Sequence, residues 1–199
     1  MLSPNSSENT TPSTAEASPD LMPPGWAGPG AAPLEFDVGC HKGRFLADMA
    51  EQYPERNFIG IEQQSERVEK AQKKIDRRTL KNARVLKGEG WETLRAFPSA
   101  CADYIHVLFP DPWPKRKHHQ RRLVQTDFLK TCAHLLKPGG VLRLVTDDES
   151  YATFMRNHAS NVTHLFESTE EARAYPITEF QFKFITDGRP FYELLLRLA

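Results

Sequence analysis

The chain has 199 residues, 39% hydrophobic and 26% charged, the composition of a globular protein and neither a membrane-embedded nor a fibrous one. Its 26 Lys and Arg balance 26 Asp and Glu, so total charge says nothing about nucleic acid and only the distribution of charge can. Three scattered cysteines, Cys40, Cys101 and Cys132, give no disulfide framework and no metal spacing, which fits a reducing cytoplasm.

Residues 1–33 are rich in Ser, Thr, Pro and Ala and lack the basic start and apolar run of a signal peptide. They carry too little apolar surface to offset the entropy of ordering, and a disordered leader is expected there. Residues 34–199 are expected to form one domain, with no run long enough to cross a membrane. "LEFDV" reads as a strand and "GRFLADMAEQY" as a helix with Phe45, Leu46 and Met49 on one face. "NFIGIE" is a second strand. "QSERVEKAQKKIDRRTL" is a highly charged helix with Val68, Ala71 and Ile75 facing inward. "ARVLKG", "GWETLRAF" and "ADYIHVLF" continue as strand, short helix and strand. After a polar loop come the helix "TDFLKTCAHLL", closed by "PGG", then the strand "VLRLVTD", the helix "ESYATFMRNHA" and a short strand at "VTHLF". The alternation of Phe180, Phe182 and Phe184, followed by "DGRP" and a second apolar run, predicts a C-terminal antiparallel hairpin. A strand–helix series of this kind implies an α/β fold, a doubly wound and mostly parallel Rossmann-like sheet with an antiparallel C-terminal edge.

Ligands of such sheets bind beyond the carboxyl ends of the strands, near the reversal of strand order. Gly39 and Gly43 bracket a turn at the end of the first strand, but neither the dinucleotide fingerprint nor the phosphate-loop pattern is present. Three acids stand at or after successive strand ends. Asp37 argues against a pyrophosphate and suits a cationic group, Glu62 is placed for ribose hydroxyls, and Glu89 for the neighbourhood of an adenine. Together they suit S-adenosylmethionine, which carries a sulfonium, an amine, a ribose and an adenine. A side chain at His41 either crowds the methionine part or points to solvent.

"LFPDPWPKRKHHQRRLV" is the most specific stretch. Prolines on both sides of Asp111 stiffen the backbone and present one carboxylate, with Trp113 behind it, beside the expected cofactor. Five of the eight residues Lys115 to Arg122 are Lys or Arg and two are His, a run placed to neutralise nucleic-acid phosphates. The helix "ERVEKAQKKIDRRTLKNAR" either extends that surface or is a plain solvated helix.

From Leu34 to the C-terminus, through "FPDPWPKRKHHQRR", "GIE", "LKPGGVLRLVTDDESY" and "TEF", the chain resembles the bacterial tRNA (guanine-N7-)-methyltransferases, class I S-adenosylmethionine-dependent enzymes that methylate guanine 46 of the tRNA variable loop. The resemblance implies cofactor contacts at Asp37, Glu62, Glu89 and Asp111, beside the Gly39 turn, with Asp111 also serving catalysis. It implies substrate contacts at Lys115, Asp147 and Thr178, Glu179, Phe180 and Gln181, and RNA contacts at Lys117, His118, His119, Gln120, Arg121 and Arg122. The implied partner is tRNA, with no membrane, no metal and no obligate protein partner, for a monomer or homodimer. Three departures stand out: His41 replaces a usual glycine, Gln181 stands where Glu is common, and the leader lacks a basic region. Two rivals stay open. One is a class I methyltransferase acting elsewhere; the other is a tRNA-binding relative inactivated through His41 and Gln181.

Overall fold

Seven strands join in one sheet in the computed structural model, which describes residues 21–170 and 173–199. They are β1 (Leu34–Val38), β2 (Asn57–Glu62), β3 (Ala83–Lys87), β4 (Ala102–Leu108), β5 (Leu136–Thr146), β6 (Phe166–Ser168) and β7 (Tyr192–Leu198), in the order β3-β2-β1-β4-β5-β7-β6. The first five are parallel; β7 lies antiparallel between β5 and β6. The chain runs outward from β1 to β3 and returns to pair β4 with β1, so the order reverses beside Val38 and Leu108. The loops that leave those two residues face the crevice where α/β sheets take ligands.

The period-2 alternation of the strands separates two faces. On one, Phe36, Val38, Ile61, Ile105, Val107, Leu142 and Leu144 are buried. They share a core with α3 (Gly90–Leu94), α4 (Thr126–Leu135) and α5 (Glu149–Ala159). Each such side chain contributes about 1.5–3 kcal/mol by leaving water. On the other face, Phe58 and Val85 pack under α1 (Arg44–Gln52) and α2 (Ser65–Arg77). This second face also buries charge. Glu35 on β1 accepts from Arg56 at 3.0 Å and Arg173 at 2.8 Å, and meets His106 Nε2 at 3.0 Å. Burial works against the Glu35 charge, but His106 and Arg173 together hold its carboxyl below the usual range. Arg143 lies 3.8 Å from the centre of the Tyr175 ring, and Tyr53 donates its hydroxyl to the Ala174 carbonyl at 2.8 Å. These contacts clamp residues 173–175 to the sheet and so place Thr178 beside the crevice.

The C-terminal hairpin expected from the sequence is not formed. "TEFQFKFIT" is α6 (Glu179–Thr186), and only β7 joins the sheet. The Thr178 hydroxyl accepts from Gln181 N–H at 3.0 Å while the Gln181 side chain accepts from Thr178 N–H at 3.1 Å. This reciprocal cap starts a helix where the phenylalanines alone read as a strand. "PGG" does not end α4 but belongs to β5. Gly139, at φ 77°, sits in a register shift in which Ala102 pairs with Leu136 and Tyr104 with Val141. The sixth strand begins at Phe166, past the expected "VTHLF" start, because Ser160–Val162 form a 3-10 turn. Residues 1–20 of the expected leader lie outside the described residues. From Leu21 the chain packs on the core, with Met22 8% exposed and Leu21, Trp26 and Ala27 against it. Those apolar side chains give residues 21–33 enough burial to join the core.

Candidate active site

The loop after β1 is tied to the end of β2. Gly39 and Cys40 N–H groups both donate to the Ile61 carbonyl, at 2.8 and 3.0 Å. Gly43, at φ 64°, caps α1, and a Cβ there would lie 2.6 Å from Ala71 Cβ, so close approach of the loop to α2 demands glycine. His41 also adopts a left-handed conformation, at φ 52°. That costs a non-glycine residue about 1–2 kcal/mol. Its N–H donates to Glu62 Oε2 at 3.0 Å, a charge-assisted bond that offsets the strain. The imidazole turns toward α6, 5.6 Å from the Phe180 ring. Burial, then the Arg67 and Lys42 charges, hold its proton affinity below the usual histidine range.

The carboxylates differ in environment. Asp37 is 4% exposed and its Oδ2 has no partner among the described residues. Burial pushes its pKa up to about 7; Arg143 opposes the shift and Glu62 adds to it. Glu62 is buried but satisfied, accepting from Gln64 N–H at 2.9 Å and from His41, with Arg67 at 3.8 Å. Glu89 is exposed and caps α3 by accepting from Glu92 N–H at 2.9 Å. Asp111 is exposed on a loop whose Phe109 and Trp113 both have positive φ, 53° and 43°. Two bulky left-handed residues store strain that the surrounding structure must hold, a pattern concentrated at functional sites.

Arg122 holds it. Its Nε donates to the Pro112 carbonyl at 2.8 Å and its Nη2 to Ser150 Oγ at 2.7 Å, and its guanidinium lies 4.9 and 5.0 Å from the Tyr151 and Phe154 ring centres. It is 1% exposed. The expectation that Arg122 faces RNA is therefore corrected: it turns inward, because the Pro112 carbonyl and the α5 aromatics offer a complete site for a guanidinium. The rest of the run forms a 3-10 turn, Arg116–Arg121. Lys115, Lys117, Gln120 and Arg121 are exposed, and Arg121 lies 5.0 Å from the Trp113 ring centre. His118 packs edge-on to Trp113, and His119 edge-on to Phe154.

Gly39, Glu62, Glu89 and Asp111 border one cleft of about 1250 Å³, with Trp91 and Arg121 also lining it. A smaller cavity of about 390 Å³ is lined by Asp37, His41, Thr178, Glu179 and Phe180. The two share Gly39, Leu108 and Phe109, so they meet at the reversal of strand order. Asp147 and Lys115 line neither; Asp147 is held by Arg189 at 2.7 Å. Thr178 and Gln181 spend their side chains on each other, which leaves Glu179 and Phe180, 42% exposed, to face the mouth. Sequence reasoning placed Phe109 at a strand end without giving it a role, and it missed Trp91 and Arg67, which carried no signal.

S-adenosylmethionine fits these residues. An unpartnered buried carboxylate oxygen at Asp37 suits a cation, and two strand-end acids suit a nucleoside without phosphates.

The family model described as "Putative methyltransferase" matches residues 31–194. A SAM-dependent methyltransferase from Aquifex aeolicus superposes with a TM-score of 0.58 at 15% identity, covering 83% of this chain and 82% of its own. Fold and crevice thus define a class I S-adenosylmethionine-dependent methyltransferase. A tRNA (guanine-N(7)-)-methyltransferase of Marinobacter nauticus is 38% identical over 81% of this chain and 71% of its own length. Its counterpart in Nitrosomonas europaea is 36% identical over 75% and 69%. The chain belongs to the tRNA (guanine-N7-)-methyltransferase family.

Proposed function

We propose that the chain transfers a methyl group from S-adenosylmethionine to N7 of guanine 46 in tRNA, in the cytoplasm, as a monomer or homodimer without an obligate protein partner. One observation carries this reading: the strained Asp111 loop borders the same cleft as Glu62 and Glu89 and runs directly into an exposed basic turn. Guanine N7 has a lone pair and no proton, so the attack needs no general base. When bound, the cofactor supplies an electrophilic methyl group on a positively charged sulfur. Glu62 would hold the ribose hydroxyls, Glu89 and Trp91 would border the adenine, and Asp37 would face the cationic end. Asp111 accepts hydrogen bonds from the guanine ring N–H and amino group and stabilises the positive charge that develops on the purine. Pro110 and Pro112, with Arg122 behind them, keep that carboxylate in place, and much of the acceleration comes from such positioning. Phe180 and Phe109 flank the mouth, where unstacked bases pack on aromatic rings. Lys115 and Arg121 meet phosphates, and Asp147, held by Arg189 outside both cavities, reaches the guanine only if that ion pair opens.

The test is methyl transfer from labelled S-adenosylmethionine to unmodified tRNA, with the product nucleoside identified. Label in 7-methylguanosine is expected. Asp111→Ala should lower turnover about 100-fold or more while leaving the cofactor Kd within a few-fold. Label in another nucleoside, or undiminished turnover in the variant, contradicts the assignment.

A further inference from the structure

We propose that α2 carries a second contact surface for the tRNA backbone, separate from the basic turn; the inference rests on tRNA being the substrate. Lys70, Lys73, Lys74 and Arg77 fall at the i, i+3, i+4, i+7 spacing that places side chains on one helix face. With Lys42 they line a groove of about 900 Å³. Lys42 and Glu179 line both this groove and the cavity beside Asp37, so the groove opens onto the mouth of the site. The first turn of α2 reaches the larger cleft through Arg67, across from Gln120 and Arg121 of the basic turn. The mouth is thereby bordered by cations on two sides.

A merely solvated helix pairs its charges along the i, i+4 direction. Lys70 does so with Glu66. Asp76, at the groove edge, takes a hydrogen bond from Gln72 at 2.8 Å. Arg44 and Arg78, just outside the groove, are engaged by Asp48 and Glu51. Lys42, Lys73, Lys74 and Arg77 make no ion pair among the described residues, although the Glu179 and Asp48 charges act on Lys74 from farther away. In a chain of zero net charge, four cations left together at the entrance to the site make a local positive field. The ligand that suits it is a polyanion continuous with the base in the pocket, which is the sugar-phosphate backbone of the same RNA. Each phosphate that the surface neutralises releases counterions, so the surface has a measurable signature in salt dependence.

The experiment compares the full chain with the triple variant Lys73→Gln, Lys74→Gln, Arg77→Gln. Equilibrium binding to unmodified tRNA is measured across salt concentrations, alongside steady-state methylation. The plot of log Kd against log salt should flatten by about 0.7–0.9 for each phosphate that the variant no longer neutralises. KM for tRNA should rise about ten-fold, with kcat at saturating tRNA and the cofactor Kd unchanged. If the triple variant unfolds, Lys73→Gln and Arg77→Gln singly should each flatten the slope by the amount of about one phosphate. Wild-type slope and KM in the folded variants would overturn the inference. Failure of the wild-type protein to methylate tRNA overturns the proposed function instead; the binding slope still reads the α2 surface.

Discussion

Asp37 keeps one carboxylate oxygen without a partner among the described residues, under the loop that follows β1, and its chemistry follows from that burial. With a folded pKa of about 7 against an ordinary 3.8, the protonated form is the one the fold favours. Its contribution to stability is therefore full below pH 4 and is lost as pH rises through 7, by roughly 4 kcal/mol at most. Asp37→Asn should remove that slope, so the melting temperature of the variant should gain on the wild type between pH 5 and pH 8. A cationic ligand needs the ionised form. Cofactor Kd should therefore tighten from pH 6 to pH 8 in the wild type and stay flat in the variant. Arg122 makes the opposite case, a charge that is buried and fully engaged. Arg122→Ala should destabilise the protein by about 2–4 kcal/mol, through an orphaned Pro112 carbonyl and weakened packing on Tyr151 and Phe154. Its melting temperature should fall while the salt slope of tRNA binding does not. Within the run "KRKHHQRR" nothing in the sequence distinguishes Arg122 from Arg121, since inward direction depends on the distant Ser150, Tyr151 and Phe154. That Asp37, Glu62, Glu89 and Asp111 border the two cavities was legible because loops leaving strand ends in this fold class face the crevice by topology alone.

Elements were legible where one signal dominated. The strands β1 to β4 are short apolar runs between turn residues, and α1, α2 and α5 have helical spacing of their buried residues. The C-terminal segment carried two signals in conflict. Phe180, Phe182 and Phe184 alternate as in a strand, yet Thr178 and Gln181 have capping-box spacing. The cap prevailed because helical geometry buries Phe184 against Phe109 and stacks Phe180 on it at the mouth, with Phe182 the most outward of the three. Gln181 serves the cap through its side-chain oxygen, and a Glu there could accept from the Thr178 N–H equally well. Gln181→Glu should leave stability and activity near the wild-type level. Gln181→Ala should cost about 0.5–2 kcal/mol and raise KM for tRNA, because it loosens the helix that carries Glu179 and Phe180 to the mouth. Denaturant unfolding and steady-state kinetics check both.

At the scale of the whole molecule, zero net charge conceals an ordered separation. Acids on the sheet are buried and compensated, as Glu35 is by Arg56, Arg173 and His106, or buried with an oxygen that has no partner among the described residues, as Asp37 is. Unpaired cations collect around the mouth. The crevice between β1 and β4 is thus the place where the fold keeps uncompensated charge of both signs. Filling it should stabilise the entire domain, because β1, β2 and β4 all meet there. Ligand at about 100 times Kd adds about 2.7 kcal/mol, which in a domain of this size raises Tm by roughly 5–10 °C. The shift should be larger at pH 8 than at pH 6, since Asp37 must give up its proton to meet a cation. A thermal melt with and without S-adenosylmethionine at the two pH values measures this. Equal shifts at both would remove Asp37 from the cationic end of the cofactor, and no shift at either would leave the crevice without its proposed ligand.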